Sequence, residues 1–202
     1  MLYSLSIFPV LNTLFLLSIH REVIVTPIND ILRAGHLLKQ GFCLFMNFHK
    51  FLKGLEPNAN GHLIEDIWGF SDREINANHD FIQTLFPLDE PSNWSLNKLY
   101  LEDSKEIEKI RFDPIAVGNI LKSKEWFLEF LRRNDNWQYS HNHNQLRITR
   151  VIKSLLLLVS REEAHLFYEE ILNSLNHDAK IPDVSFEYWT SSFDANLLRE
   201  VR

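Results

Sequence analysis

The stretch His141-Asn-His-Asn-Gln-Leu-Arg-Ile-Thr-Arg150 holds two histidines, three amides and two arginines within ten residues. Arginine forks match carboxylates with two parallel hydrogen bonds, and imidazoles move protons or bind metals near neutral pH. Two chemistries follow for Arg147 and Arg150. One is a buried salt bridge to Glu65, Asp66, Asp80 or Asp89 that fixes helix register. The other is capture of an anionic group, such as a peptide carboxylate, in a pocket rimmed by Gln83, Asn142, Asn144 and Trp189. His79 is either a core histidine with satisfied ring nitrogens or a member of that pocket beside His143 and Arg147. His141 and His143 are two residues apart, whereas a helical metal pair converges at a spacing of four. No metal and no cofactor is therefore expected. An enzyme remains an alternative, a small hydrolase or transferase with His79 or His143 as base and the arginines as anion clamp. A structural domain without a small ligand is the third alternative.

These residues need elements to hold them. Directly after the polar stretch comes Val151-Ile-Lys-Ser-Leu-Leu-Leu-Leu-Val159. At helical spacing Ile148, Ile152, Leu155 and Val159 share a face, and Val151, Leu156, Leu157 and Leu158 carry the apolar surface almost around the cylinder. A helix apolar on most sides lies in the middle of a protein. His143, Arg147, Arg150 and Ser154 form a narrow polar seam along it. A buried polar group without a partner costs several kcal/mol, about 2–7, so the seam must be matched by carboxylates, carbonyls, water or a ligand.

Other helices are signalled by their starts. Ser71-Asp-Arg-Glu74 and Ser160-Arg-Glu-Glu163 are capping boxes, and Asp113-Pro114 pairs an N-cap with proline at the first helical position. The first of these predicts a helix from Ser71 to about Phe86, stopped by Pro87, with Ile75, His79, Ile82 and Phe86 on the apolar stripe and Gln83 at its edge. The second predicts Ala164, Phe167, Tyr168, Ile171, Leu172 and Leu175 facing inward. The helix from Asp113 buries Val117, Ile120, Leu121, Phe127, Leu128 and Leu131. A last helix starts near Asp183 and buries Phe186, Trp189 and Phe193. The run Glu102 to Arg111 is a solvated helix face. No stretch alternates at period two over strand length. The fold class is all-α, a single helical-bundle domain around a buried central helix.

Composition bounds the function. The 202 residues carry a net charge of −6, which disfavours a phosphate backbone as partner. The single cysteine, Cys43, excludes an intrachain disulfide and fits a reducing compartment. Nucleophile elbows, phosphate loops, dinucleotide fingerprints and HExxH are absent from the sequence.

Residues 1–45 form an apolar N-terminal extension of different composition. Leu2 to Ile19 is uncharged and just long enough to cross a bilayer. Pro9, Asn12 and Thr13 interrupt it, and no lysine or arginine precedes it. It reads as a membrane anchor, as a signal peptide or packed helix, or as a stretch ahead of a natural start at Met46. Localisation is then cytoplasmic, or membrane-anchored through residues 2–19. Residues 46–202 are expected to be the folded domain.

Within them, Asn78-His-Asp-Phe-Ile-Gln-Thr-Leu-Phe-Pro-Leu88 resembles a signature of the opioid growth factor receptor conserved domain, roughly H-D-Y-I-Q-W-L-F-P. The run His141 to Arg150 is similar to that family's H-N-x-L-R-I-T-R block. Leu63-Ile-Glu-Asp-Ile67 resembles its first element and Tyr188-Trp189 its last aromatic pair. The likeness covers about Phe48 to Phe193, in order, and suggests a short microbial-type member. Thr84 stands where the family has tryptophan, and the block before His141 looks shorter. The resemblance implies a binding module whose animal members are named for taking the pentapeptide Met-enkephalin. It brings no catalytic residues. The expected partner is a peptide or protein, with ligand residues His79, Gln83, Asn142, His143, Asn144, Arg147, Arg150 and Trp189.

Overall fold

The computed structural model describes residues 46–91, 99–140 and 142–200, with side chains as far as Asp194. The extension of residues 1–45, and with it the membrane reading of residues 2–19, lies outside the described residues. Every regular element described is helical. In chain order they are α1 (Phe48–Leu52), α2 (Ile64–Trp68), α3 (Asp72–Ala77), α4 (Phe81–Leu85), α5 (Ser104–Arg111), α6 (Pro114–Arg133), a 3-10 turn (Asp135–Gln138), α7 (His143–Leu158), α8 (Arg161–Asn173) and α9 (Asp183–Glu200). Among the described residues no helix is long and apolar enough to cross a membrane.

The helix starts are set by short polar side chains that accept from otherwise orphaned amides. Asp113 caps α6 by accepting from the Ile115 and Ala116 amides at 2.9 and 3.3 Å, with Pro114 next in line. Ser160 caps α8 through the Glu163 amide at 3.1 Å. Ser71 and Glu74 close the capping box of α3, and Asn142 opens α7 through the Asn144 amide at 2.9 Å.

α7 is the central rod. It packs against α9, α8, α5, α6 and the 3-10 turn. Ile148, Val151, Ile152, Leu155 and Leu158 are fully buried on it. Leu156, Leu157 and Val159 are only partly buried, and Leu146 is 47 % exposed, so one side of the rod reaches the surface. Around it stand Phe127, Phe130 and Leu131 of α6, Phe167 and Ile171 of α8, and Trp189 and Phe193 of α9. Leu172, expected inward, is exposed on α8, one position past the buried Ile171. On α5 the solvated face is interrupted by Ile110, which is fully buried.

The expected helix from Ser71 to Phe86 is two short helices. Asn78 leaves α3 in an extended conformation, φ −94° and ψ 128°. Its side-chain oxygen then accepts from the Asp80 and Phe81 amides at 2.9 and 3.4 Å and starts α4. An asparagine that mimics a turn in this way competes with helix continuation. The break re-phases the stripe. His79 is turned out to solvent, against the expectation of an apolar-face position, and Gln83 is buried.

Leu155 has no exposed surface. Leu155→Ala is therefore expected to cost about 2–5 kcal/mol in urea unfolding, while Leu146→Ala on the open side of the same helix stays within about 0.5 kcal/mol. Equal losses at the two positions would show that α7 is not central.

Candidate functional site

The polar seam of α7 meets main-chain carbonyls of the α3–α4 segment. The Arg147 guanidinium donates through Nη1 to Asn144 Oδ1 at 2.8 Å and through Nη2 to the Asn78 carbonyl at 2.7 Å. It also lies over the Phe81 ring, 4.9 Å from its centre. Arg150 Nε donates to the Phe86 carbonyl at 2.9 Å, and Ser154 Oγ to the Pro87 carbonyl at 3.1 Å. Asn78 and Phe86 are the C-caps of α3 and α4. Carbonyls at helix ends have no partner within the helix, and the seam supplies one to each. The arginine partners are thus helix-end carbonyls and an amide oxygen in place of the carboxylates Glu65, Asp66, Asp80 and Asp89.

Burial pushes both guanidinium groups down, to about 10 each, with Glu90 acting the other way on Arg150. Both stay charged at neutral pH. Arg147 is 5 % exposed. Among the described residues, three buried polar atoms of the seam region, Gln83 Oε1, Asn144 Nδ2 and Arg150 Nη2, have no hydrogen-bond partner.

A second buried knot lies across α7. Gln145 Nε2 donates to the Trp137 and Tyr139 carbonyls, both at 2.9 Å, and Gln145 Oε1 accepts from Ser185 Oγ at 2.7 Å. The Trp189 indole donates to the Gln145 carbonyl at 3.0 Å. This joins the 3-10 turn, α7 and α9. Trp189, expected to be buried on the last helix and also to rim a pocket, is fully buried inside this knot.

The expected site residues therefore separate. Gln83, Asn144, Arg147 and Trp189 are buried, Arg150 and Asn142 are half-buried, and His79 and His143 are exposed. His141 lies outside the described residues. The two exposed imidazoles meet edge to face, ring centres 5.4 Å apart. Burial of its inner edge, the Arg147 charge and then His79 hold His143 down at about 4, so it is neutral near pH 7. Among the described residues no group of three or more His, Cys, Asp or Glu side chains could hold a metal ion.

His79 borders a groove of about 550 Å³ lined by His62, Phe70, Glu74, Ala77, Asn78 and Asp80. Its walls are aromatic and acidic. His62 and Phe70 stand edge to face at 5.3 Å. Glu74 is exposed, and the Ser71 hydroxyl and amide hold its carboxyl below the usual range. Asn78 is the link between groove and seam, because its carbonyl is the one that Arg147 holds. Glu74, Phe70 and Asn78 are not among the ligand residues expected from the sequence. The Asn78 side chain that breaks the helix was the available signal. A second concavity of about 580 Å³ lies at the α6–α8 end, beside Arg132, Arg133, Gln138 and Glu170.

Residues 43–200 match the family described as the opioid growth factor receptor conserved region. The chain belongs to this family. It is 35 % identical to the mouse opioid growth factor receptor over 132 residues, 54 % of this chain and 20 % of that protein. It is 34 % identical to the human opioid growth factor receptor, over 48 % of this chain and 17 % of that one. The mouse opioid growth factor receptor-like protein 1 is 32 % identical, over 52 % and 27 %. The chain thus spans about a sixth to a quarter of these relatives' length. No solved structure matches it.

Arg147→Ala should remove two hydrogen bonds and leave the Asn78 carbonyl unmatched, at a cost of about 2–4 kcal/mol in urea unfolding. Arg147→Lys should recover little of it, since an ammonium cannot reproduce the fork. A variant with unchanged stability would exclude the clamp. The His143 shift sets a pH dependence. Its folded pKa lies near 4 against 6.5 for the free side chain, so the unfolded chain binds more protons in between, and stability falls as pH drops through that window. Unfolding titrations of the protein and of His143→Gln should differ in slope there, with the variant flatter.

Proposed function

We propose that this member of the opioid growth factor receptor family is a binding module that takes a short peptide in the His62–Asp80 groove. The observation that carries the proposal is the pairing of an open, aromatic-walled concavity with a buried clamp on its floor. Small-ligand sites are concave, largely pre-formed, and oriented by a few polar groups. Here Phe70, His62 and His79 offer apolar and aromatic surface, Glu74 and Asp80 offer negative charge, and the groove lining contains no lysine or arginine. That lining suits a positively charged group, such as a peptide amino terminus, next to an aromatic side chain. An anionic end, the other ligand the sequence allowed, would have to reach an Arg147 that is almost wholly buried and already bonded.

In this reading Arg147 and Asn144 are positioning residues. They hold Asn78, and so the turn that exposes His79 and Asp80. The relatives named as receptors support a peptide partner. A hydrolase or transferase that uses the arginines as anion clamp gains no support, because Arg147 is almost wholly buried and each guanidinium already donates to a main-chain carbonyl. The single cysteine supports work in a reducing compartment such as the cytoplasm.

The test is a titration of the isotope-labelled chain with Met-enkephalin and with the same pentapeptide acetylated at its amino terminus. Resonances of His62, Phe70, His79 and Asp80 are expected to shift with the free peptide, and acetylation should weaken binding at least about tenfold, the equivalent of 1.4 kcal/mol. Glu74→Gln should weaken it in the same direction with only a small fall in Tm, since glutamine can still close the capping box with Ser71. Shifts confined to the Arg132–Glu170 concavity, or none at all, would overturn the assignment.

A further inference from the structure

One surface turn carries chemistry that the binding reading does not use. Asn60-Gly61 is the only Asn-Gly pair in the 202 residues. It sits at the tip of a tight turn, closed by the Gly61 amide donating to the Asn58 carbonyl at 2.9 Å and the Asn58 amide to the His62 carbonyl at 2.8 Å. Asn58 Oδ1 accepts from the Asn60 and His62 amides, both at 3.0 Å. Gly61 has φ +85°, a conformation that side chains disfavour, and a Cβ there would meet nothing within 4 Å. Asn60 is exposed, and its Nδ2 donates to Asp80 Oδ2 at 3.3 Å. Asp80 lines the groove.

We propose that Asn60 is a site of spontaneous deamidation, and that its conversion places a second negative charge against Asp80 at the groove margin. The Gly61 amide nitrogen attacks the Asn60 side-chain carbonyl carbon. A new carbon–nitrogen bond closes a five-membered imide, the carbon–nitrogen bond of the side-chain amide breaks, and ammonia leaves. The Gly61 amide proton goes to solvent base, and the departing nitrogen takes a proton from water. A second water then opens the ring at either carbonyl, giving aspartate or isoaspartate. The balance is one water in and one ammonia out, with no change of oxidation state and no co-reactant beyond solvent.

Glycine favours the first step because no side chain shields its nitrogen. The structure adds a gate and a consequence. The gate is the Gly61–Asn58 hydrogen bond, which must open before the nitrogen can reach the side-chain carbonyl, and hydrogen bonds at exposed loop tips such as residues 59–61 open more readily than those of the core. The consequence follows from Asp80. Its carboxylate accepts from a neutral amide before the reaction and, in the aspartate product, faces another carboxylate after it, and like charges at such distances repel. The turn between α1 and α2 is thereby loosened from the start of α4. The effect ages with the molecule and needs no partner. It stands apart from the ligand assignment, since it rests on Asn60, Gly61 and Asp80 alone.

The experiment is peptide mapping by mass spectrometry of the full chain held at mildly alkaline pH over time. Aspartate and isoaspartate are expected at position 60 ahead of any other asparagine, with a rate that rises with pH. In Asn60→Gln the fast phase should vanish. An Asn60 that survives while Asn173, which precedes Ser174, converts would overturn the assignment. The charge clash is tested separately. Asn60→Asp should lower Tm by about 1–3 °C, and the same change made in an Asp80→Asn background should lower it less. Equal losses in the two backgrounds would show that the new carboxylate does not act on Asp80.

Discussion

The structure depends on one buried and one half-buried arginine, Arg147 and Arg150, bonded to carbonyls. A helix that ends inside a protein leaves carbonyl groups without partners, and the chain ends two helices, α3 and α4, against the side of α7. Arg147 and Arg150 reach across from α7 and take the Asn78 and Phe86 carbonyls, and Ser154 takes that of Pro87. The spacing of these donors, three and four residues along one helix, lets a single rod serve three successive acceptors. Without them α4 would carry unmatched carbonyls into the core, or the chain from Ser71 to Phe86 would have to continue as one helix. In the latter case His79 would face the core and the groove would not form.

The same contact explains why the central helix is not wholly apolar. A fully hydrophobic α7 would pack as well against α6, α8 and α9, but it could not accept two broken helices on its remaining side. Gln145 has the corresponding role on the opposite flank, where the 3-10 turn offers the Trp137 and Tyr139 carbonyls and α9 offers Ser185 and the Trp189 indole. Seen from α7, the dense polar stretch is a connector with two faces. One face receives helix ends, and the other receives a turn and a tryptophan. The N-terminal tip, with His143, reaches solvent, as does Leu146 on the open side of the rod.

Much of this was legible from spacing. The apolar positions Ile148, Ile152 and Leu155 mark α7 as central, the polar strip through Arg147, Arg150 and Ser154 demands partners, and the caps at Ser71, Asp113 and Ser160 place three helix starts. The partners were not legible. Carboxylates are the obvious match for arginine, and four lay within reach in sequence terms. The carbonyls became available only because Asn78 ends a helix that hydrophobic spacing carries through to Phe86. A capping box announces where a helix begins. Its end here is decided by one amide side chain acting locally, stabilised by a guanidinium 69 residues further on. Periodicity holds no trace of that contact, so it places His79 on the apolar stripe; it does bury Trp189 on the last helix, but not in a knot with Gln145. The exposure of His79 and the burial of Gln83 are one error of phase.

A buried charge matched by carbonyls differs from one matched by a carboxylate. An ion pair in the interior can exchange for a hydrophobic pair of similar volume with little loss. A guanidinium bonded to helix ends cannot, because removing it leaves acceptors that belong to the backbone and cannot be mutated away. The arrangement therefore ties the two halves of the domain by an asymmetric dependence. The α3–α4 segment needs α7, while the apolar contacts of α7 with α8 and α9 do not need α3–α4. The groove lies on the dependent side, at the turn Arg147 holds. A ligand bound there would press on Asn78, and through it on a guanidinium already desolvated to the point that burial lowers its pKa to about 10. Asn78, in the lining of the groove, is thus joined to α7 by a hydrogen bond of 2.7 Å, between the buried Ile75 and Phe81 that anchor the same segment in the core.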